Sequence, residues 1–209
     1  IGMHHDQDIR NMGGMRKYMP ITHWTALLGS LALIGFPGFS GFFSKDAIIE
    51  AVHHSQIAGA GYAHLLLVAG VFVTALYSFR MYFLVFHGEG PRHFEPHHEA
   101  HDEHGGAEAQ EHHQVHDEPT PHESRWVVTL PLVLLAIPSV VIGYMTVGPM
   151  VFGDFFGDAL TVAAVHNTLG QIDFHGATAF LLHGVMALPF WLAMAGLATA
   201  WYIYTQKPE

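Results

Sequence analysis

The chain has 209 residues, half of them hydrophobic and none of them Cys, and its 8 Lys and Arg against 18 Asp and Glu leave a formal charge of −10. Only 12% of the residues are charged, about half the share in a soluble globular domain, so the composition is that of a membrane protein. Without Cys there is neither a disulfide framework nor a thiolate metal site, and no nucleic-acid partner is expected.

The sequence opens at Ile1 with no initiator Met or signal peptide and closes on Gln206-Lys207-Pro208-Glu209 just after an apolar run, so it is read as an internal piece of a longer protein. Four apolar stretches, at 21–43, 61–86, 126–147 and 177–204, are long enough to cross a hydrocarbon core, which takes roughly 20 helical residues. The expected fold is therefore all-α: a polytopic membrane helix bundle fragment with about four transmembrane helices, the first discontinuous at Pro37-Gly38. Basic residues set the orientation. Arg10, Arg16 and Lys17 precede the first span, Arg80 and Arg92 follow the second, Arg125 opens the third and Lys207 closes the fourth, while 52–62 and 148–176 hold no Lys or Arg. The expected division is a cytoplasmic segment at 1–20, a discontinuous transmembrane helix at 21–54, a transmembrane helix at 61–87 and a cytoplasmic loop at 88–124. A transmembrane helix at 125–148, a periplasmic connection at 149–176 and a last transmembrane helix at 177–205 complete it.

Lys45 is the one basic residue outside this scheme. If the first helix ends near Pro37-Gly38, Lys45 and Asp46 sit at the outer interface with their charged ends in water. If it restarts after the break, a half-helix from about 42 to 54 carries Lys45 inside the bilayer. Desolvation there disfavours the charged amine and brings reversible proton binding within reach. Asp46, one residue on, points about 100° away round the helix and is expected to face another segment. A broken helix in lipid must lie against protein or a wet cavity, and an ionisable residue at that depth reads as part of an ion or proton path.

Three segments now carry a resemblance: HHDQDIRNMGG from His4 to Gly14, GFPGFSGFFSKDAII from Gly35 to Ile49, and LYSFRMYFLVFHG from Leu76 to Gly88. They closely resemble the antiporter-like subunit L family of bacterial NADH-quinone oxidoreductase, respiratory complex I, whose mitochondrial counterpart is chain 5. PHESRWVVTLPLVLLAIPSVVIG and HGATAFLLHG continue the likeness along nearly the whole chain. The resemblance implies the C-terminal part of the core bundle of a proton-pumping NADH:quinone oxidoreductase, a translocase, in the bacterial inner membrane. It implies partners among the other membrane-arm subunits and the lipid bilayer. It matches Lys45 to the lysine of the family's second broken helix, with Asp46 its acidic neighbour in a proton relay. Many relatives carry an acidic residue after SKD, where this chain has Ala47. Multisubunit sodium/proton antiporters share the fold and form the alternative; their matching segment tends towards SKE.

Other polar residues carry weaker signals. His183 is a further relay candidate inside the fourth span; His64 and His183 both read as well as helix–helix hydrogen-bonding residues. Arg80 reads as a snorkelling side chain, and Ala193, Ala195, Gly196 and Ala198 as a close-packing face. Glu50, His53 and His54 form E-x-x-H-H but lack the ligands for a metal site, so no metal is expected. Ten acidic residues lie between Glu89 and Glu123 with a single Arg92, interspersed with His. A solvated connector explains that loop; a zinc-delivering transporter is the contrasting reading. With no P-loop, no G-x-G-x-x-G after a strand and no Cys, no cofactor is expected in this chain, and electron transfer is assigned to other subunits.

Overall fold

The computed structural model describes residues 2–3, 7–88, 120–163 and 167–206. The His-rich loop over 89–119 and Lys207 lie outside the described residues. Among those described there are six α-helices and no strand: α1 Pro20–Ile34, α2 Ser40–His53, α3 Ala60–Phe86, α4 Trp126–Thr146, α5 Ala177–Met186 and α6 Leu188–Trp201. Short 3₁₀ turns lie at Ile9–Asn11 and Met15–Lys17, and π-helical turns extend α4 over Val147–Phe152 and α6 over Tyr202–Gln206.

Proline and glycine punctuate the first two helices. Pro20 opens α1 at a position where its missing N–H costs no hydrogen bond. Gly35 closes it at φ 74°, in the left-handed region that glycine enters without steric penalty. The N–H groups of Gly35 and Phe36 then fold back onto the carbonyls of Ala32 and Leu31 at 3.1 and 3.0 Å, a Schellman-type stop. Pro37 and Gly38 follow, the latter at φ 96°, and the chain restarts as α2 at Ser40. Of the two sequence readings of this segment, the restarted half-helix is the one observed. At 15 residues α1 spans only about 22 Å, short of a bilayer core by itself.

The second and third predicted spans coincide with α3 and α4. Each is a 27-residue apolar rod when the π turn after α4 is counted, and each has only 17% of its most apolar window buried within the chain. A helix apolar all round and this exposed is stable only in lipid or against other protein, so the molecule is an integral membrane protein. The fourth predicted span needs correction. Instead of one rod over 177–204, α5 and α6 meet at an extended Ala187, ψ 151°, and bend by 63°. Pro189 is the cause: it has no N–H to donate and its ring disfavours a continuous turn through Ala187 and Leu188. Among the described residues, α3 and α4 are thus long and apolar enough to cross a membrane, α5 and α6 make a third crossing if the bent pair is one span, and α1 is a shorter apolar helix.

Two apolar clusters organise the bundle. In one, α3 packs along α6, with Ala75, Ala193 and Ala200 buried beside Phe79 and Phe83. The small-residue face predicted on the last span lies in this seam: a Cβ on Gly196 would come within 2.6 Å of the Phe72 carbonyl and 2.8 Å of Ala75 Cβ. In the other, Phe42 and Phe43 of α2 meet Phe180 of α5 and Val147 beyond α4. Phe152 stacks on Phe174 with centroids 4.3 Å apart, tying the connection after α4 to the approach to α5. The second cluster packs α2 against α4 and α5.

Candidate functional site

The stop at Gly35 leaves part of the last turn of α1 unserved. Leu31 and Ala32 have their carbonyls capped by Phe36 and Gly35, but the carbonyl of Leu33 has no backbone donor left. Lys45 supplies it: the ammonium Nζ reaches back across the break and donates to Leu33 O. The side chain is partly exposed along its length, while its charge sits at the negative end of the α1 dipole. Gly35 makes room for this return path; a Cβ there would lie 3.5 Å from Lys45 Cδ.

Asp46 turns the other way, as the 100° step between neighbours requires. It is only 7% exposed, and its Oδ2 is fully buried with no hydrogen-bond partner among the described residues. That oxygen faces α5, where a Cβ on Gly184 would be 3.3 Å from it. Glu50, one turn along α2, and His183 on α5 are the ionisable groups whose charges act on it. His183, the third site candidate, is itself exposed on α5 and is not buried beside Lys45. The structure therefore brings Lys45 and Asp46 to one cavity and leaves His183 outside its lining. A cavity of about 20 Å³ between α2 and the α5–α6 bend is lined by Gly35, Lys45, Asp46, Gly184, Pro189 and Phe190, among others.

The remaining candidates have plain structural roles. Glu50 Oε1 comes within 4.0 Å of His54 Nδ1, while the ring of His53 lies 4.9 Å from that of His64, so the E-x-x-H-H residues divide between two neighbours. Arg80 extends over the ring of Tyr204 at 5.7 Å, an exposed cation–π contact consistent with a snorkelling side chain.

Two features were not singled out from the sequence. Glu123, just before α4, clamps the start of α1: its carboxylate accepts from Ile21 N–H at 2.7 Å, Thr22 N–H at 3.2 Å and Thr22 Oγ1 at 2.6 Å. The second is an aromatic and imidazole cluster at the opposite end of α1 from the break. The Tyr82 hydroxyl lies 3.2 Å from His23 Nδ1, and the ring of His87 is 6.0 Å from that of His23. Polar residues interrupting apolar runs were the available signal, but their partners lie 59 and about 100 residues away.

These elements define a class: a polytopic α-helical membrane protein in which a broken helix presents an adjacent lysine and aspartate to a small cavity. Comparison with known sequences narrows it. Residues 1–84 match the sequence model of the NADH:quinone oxidoreductase/Mrp antiporter transmembrane family. The chain is 51% identical over 212 aligned residues to NADH-quinone oxidoreductase subunit L of Neisseria meningitidis, covering 100% of this chain and 31% of that protein. It is 37% identical over 205 residues to NAD(P)H-quinone oxidoreductase chain 5 of Picosynechococcus, covering 96% and 28% respectively. It is 34% identical over 204 residues to NADH-ubiquinone oxidoreductase chain 5 of Phytophthora infestans, covering 97% and 27%. The chain belongs to this NADH:quinone oxidoreductase/Mrp antiporter family and is like its subunit L and chain 5 members. It spans about a third of the length of the curated relatives it matches.

Proposed function

We propose that this chain is the C-terminal part of the core bundle of a proton-translocating membrane subunit of NADH-quinone oxidoreductase, in which Lys45 and Asp46 carry protons driven by redox chemistry in other subunits. The single observation that supports this most is the bond from Lys45 to the Leu33 carbonyl across the helix break. It gives the amine a docking position that is strong for the ammonium and weaker for the neutral amine, since a charged donor makes the stronger hydrogen bond. Giving up its proton loosens the side chain from α1; regaining one draws it back. A lysine with two positions set by its own charge state is what a switched carrier needs, and Asp46 is the adjacent group able to take the proton.

In this reading the protein lies in the bacterial inner membrane, with 1–20 and the His-rich loop cytoplasmic and 52–62 and 149–176 periplasmic. Its partners are the other membrane-arm subunits, which cover the apolar faces of α3 and α4 that lipid does not. The chain holds no redox centre of its own and contributes to the enzyme as its translocase part. The test is Lys45→Ala in the full-length subunit, with proton uptake and NADH-driven electron transfer measured together in inverted membrane vesicles after assembly is verified. A sharp fall in proton uptake is the expected result; wild-type values for both rates would make Lys45 an interfacial residue and end the proposal.

A further inference from the structure

We infer that His53, at the end of α2, and His64, near the start of α3, form a two-histidine site for a divalent transition-metal ion of the Zn²⁺ class, which ties the two helices together across the turn between them. Neither histidine lines the cavity of Lys45 and Asp46, and the inference does not depend on the proposed function.

The reversal between α2 and α3 creates the pair. His53 is the last residue of α2 and His54 its cap; the turn that follows reaches Gly59 at φ 91°, a left-handed position that glycine enters freely, and α3 starts at Ala60. His64, just over a turn into α3, is thereby set beside His53: the ring centres are 4.9 Å apart and the ring planes inclined at 48°. Two imidazoles bound to one tetrahedral zinc at about 2.0–2.1 Å per nitrogen have ring centres roughly 5 Å apart. The spacing is already that of two ligands sharing an ion. His54 is committed elsewhere, since its Nδ1 lies 3.0 Å from the carbonyl oxygen of Glu50 and 4.0 Å from Glu50 Oε1.

The surroundings suit a cation. His53 is exposed and His64 half-buried, so an ion reaches both from outside the bundle. Residues 52–62 include no Lys or Arg, and Glu50 adds a negative charge about one turn before His53. Imidazole nitrogen selects Zn²⁺, Cu²⁺ or Ni²⁺ over Mg²⁺ and Ca²⁺, which take oxygen ligands. The E-x-x-H-H run alone offers too few ligands; the fold adds an imidazole from a second helix. Among the described residues no group of three or more His, Cys, Asp or Glu is placed to hold a metal, so the ion would have two protein ligands and water in its remaining positions. Such open coordination belongs to an exchangeable ion, whereas structural zinc is closed by four protein ligands. An ion that binds only the folded arrangement stabilises it. By joining the end of α2 to α3, it also restrains the helix that carries Lys45 and Asp46.

The experiment measures the thermal unfolding midpoint of the full-length subunit in detergent micelles, with and without Zn²⁺, for wild type, His53→Gln, His64→Gln, the double variant and His54→Gln. Any zinc held by the His-rich loop is common to all five proteins and cancels between them. The expected result is a zinc-dependent rise of a few degrees in wild type and in His54→Gln that is smaller by the same amount in both single variants and in the double variant. Equal losses follow because a chelate that loses one of its two ligands loses the site. An equal rise in all five proteins overturns the inference and leaves a plain ring contact. Losses that add in the double variant overturn it too, since they mean separate ions on separate histidines, as does an equal loss in His54→Gln. If His64→Gln, on the half-buried side chain, does not fold, His53→Gln against His54→Gln decides by the same comparison.

Discussion

Replacing Glu123 by Ala removes the clamp that ties the segment before α4 to the start of α1, and its cost can be worked from the three bonds involved. The Ile21 and Thr22 N–H groups belong to the first turn of α1, where backbone donors have no helical acceptor. Their pairing with the carboxylate is equivalent to an N-cap, worth about 1–2 kcal/mol. The bond from Thr22 Oγ1 at 2.6 Å adds about 1 kcal/mol. A negative charge at the positive end of the helix dipole adds about 0.5 kcal/mol at a partly exposed site. The sum is about 3 kcal/mol for Glu123→Ala. Glu123→Gln retains an oxygen acceptor and loses the charge, so its cost is about 1 kcal/mol. Reversible unfolding of the full-length subunit in mixed detergent micelles measures both. Because α1 lies along α4 and its far end offers the Leu33 carbonyl to Lys45, the alanine variant is also expected to lower the yield of assembled complex. An alanine variant within about 0.5 kcal/mol of wild type, the range of an ordinary surface substitution, would refute the reasoning.

Three further outcomes follow from the same geometry. Gly196→Val places a branched side chain where even a Cβ would come within 2.6 Å of the Phe72 carbonyl; overpacking of the α3–α6 seam is expected to cost about 1–3 kcal/mol or more, read as a lowered unfolding midpoint. Lys45→Arg keeps the charge and the reach to Leu33 but holds its proton at all accessible pH, so the complex is expected to assemble and lose proton uptake; uptake at wild-type level would show that release of this proton is not part of the cycle. Asp8 accepts hydrogen bonds from the Arg10 side chain and backbone, which hold its carboxyl down at about 2 against an ordinary 3.8. A folded value below the unfolded one means the Ile9–Asn11 turn keeps this support above about pH 4 and loses it as pH falls through about 2. A carboxyl NMR titration of Asp8 checks this, and an ordinary midpoint would contradict it.

The spans were legible because lipid makes a simple demand: backbone groups must be satisfied within the helix and side chains must be apolar, and 61–86 and 126–147 meet it without interruption. The first break was legible for a local reason too, since Pro37-Gly38 lies between an apolar run and an ionisable pair. The second break carried its own Pro189, but an apolar stretch of spanning length hid it, and hydropathy does not register a missing N–H. Tolerance of internal proline is real in this chain: Pro131 and Pro138 lie inside α4 without ending it. Residue type alone therefore did not separate Pro189 from those two. What differs is context, because α6 turns away to lie against α3, where Gly196 permits the backbone to come close.

At the site, the sequence supplied the residues and one direction, and the structure supplied their partners. Helical geometry alone sends Asp46 away from Lys45, and the buried carboxylate is indeed found against α5. That Lys45 folds back on α1 was not readable, because the need for it is created by the particular stop at Gly35. The Schellman bonds use the Phe36 and Gly35 N–H groups on Leu31 and Ala32, and this leaves the Leu33 carbonyl for a side-chain donor. Had α1 continued through 35–39, that carbonyl would have been bonded within the helix and Lys45 would have had no acceptor there. The break thus both admits an ionisable residue to the bundle and creates the group that holds it. On the far wall it is a glycine within α5, Gly184, and not a side chain, that stands against Asp46. Both interruptions border one cavity, with Gly35 on one side and Pro189 on the other, and the carbonyl set free at the first, Leu33 O, is what holds Lys45 there.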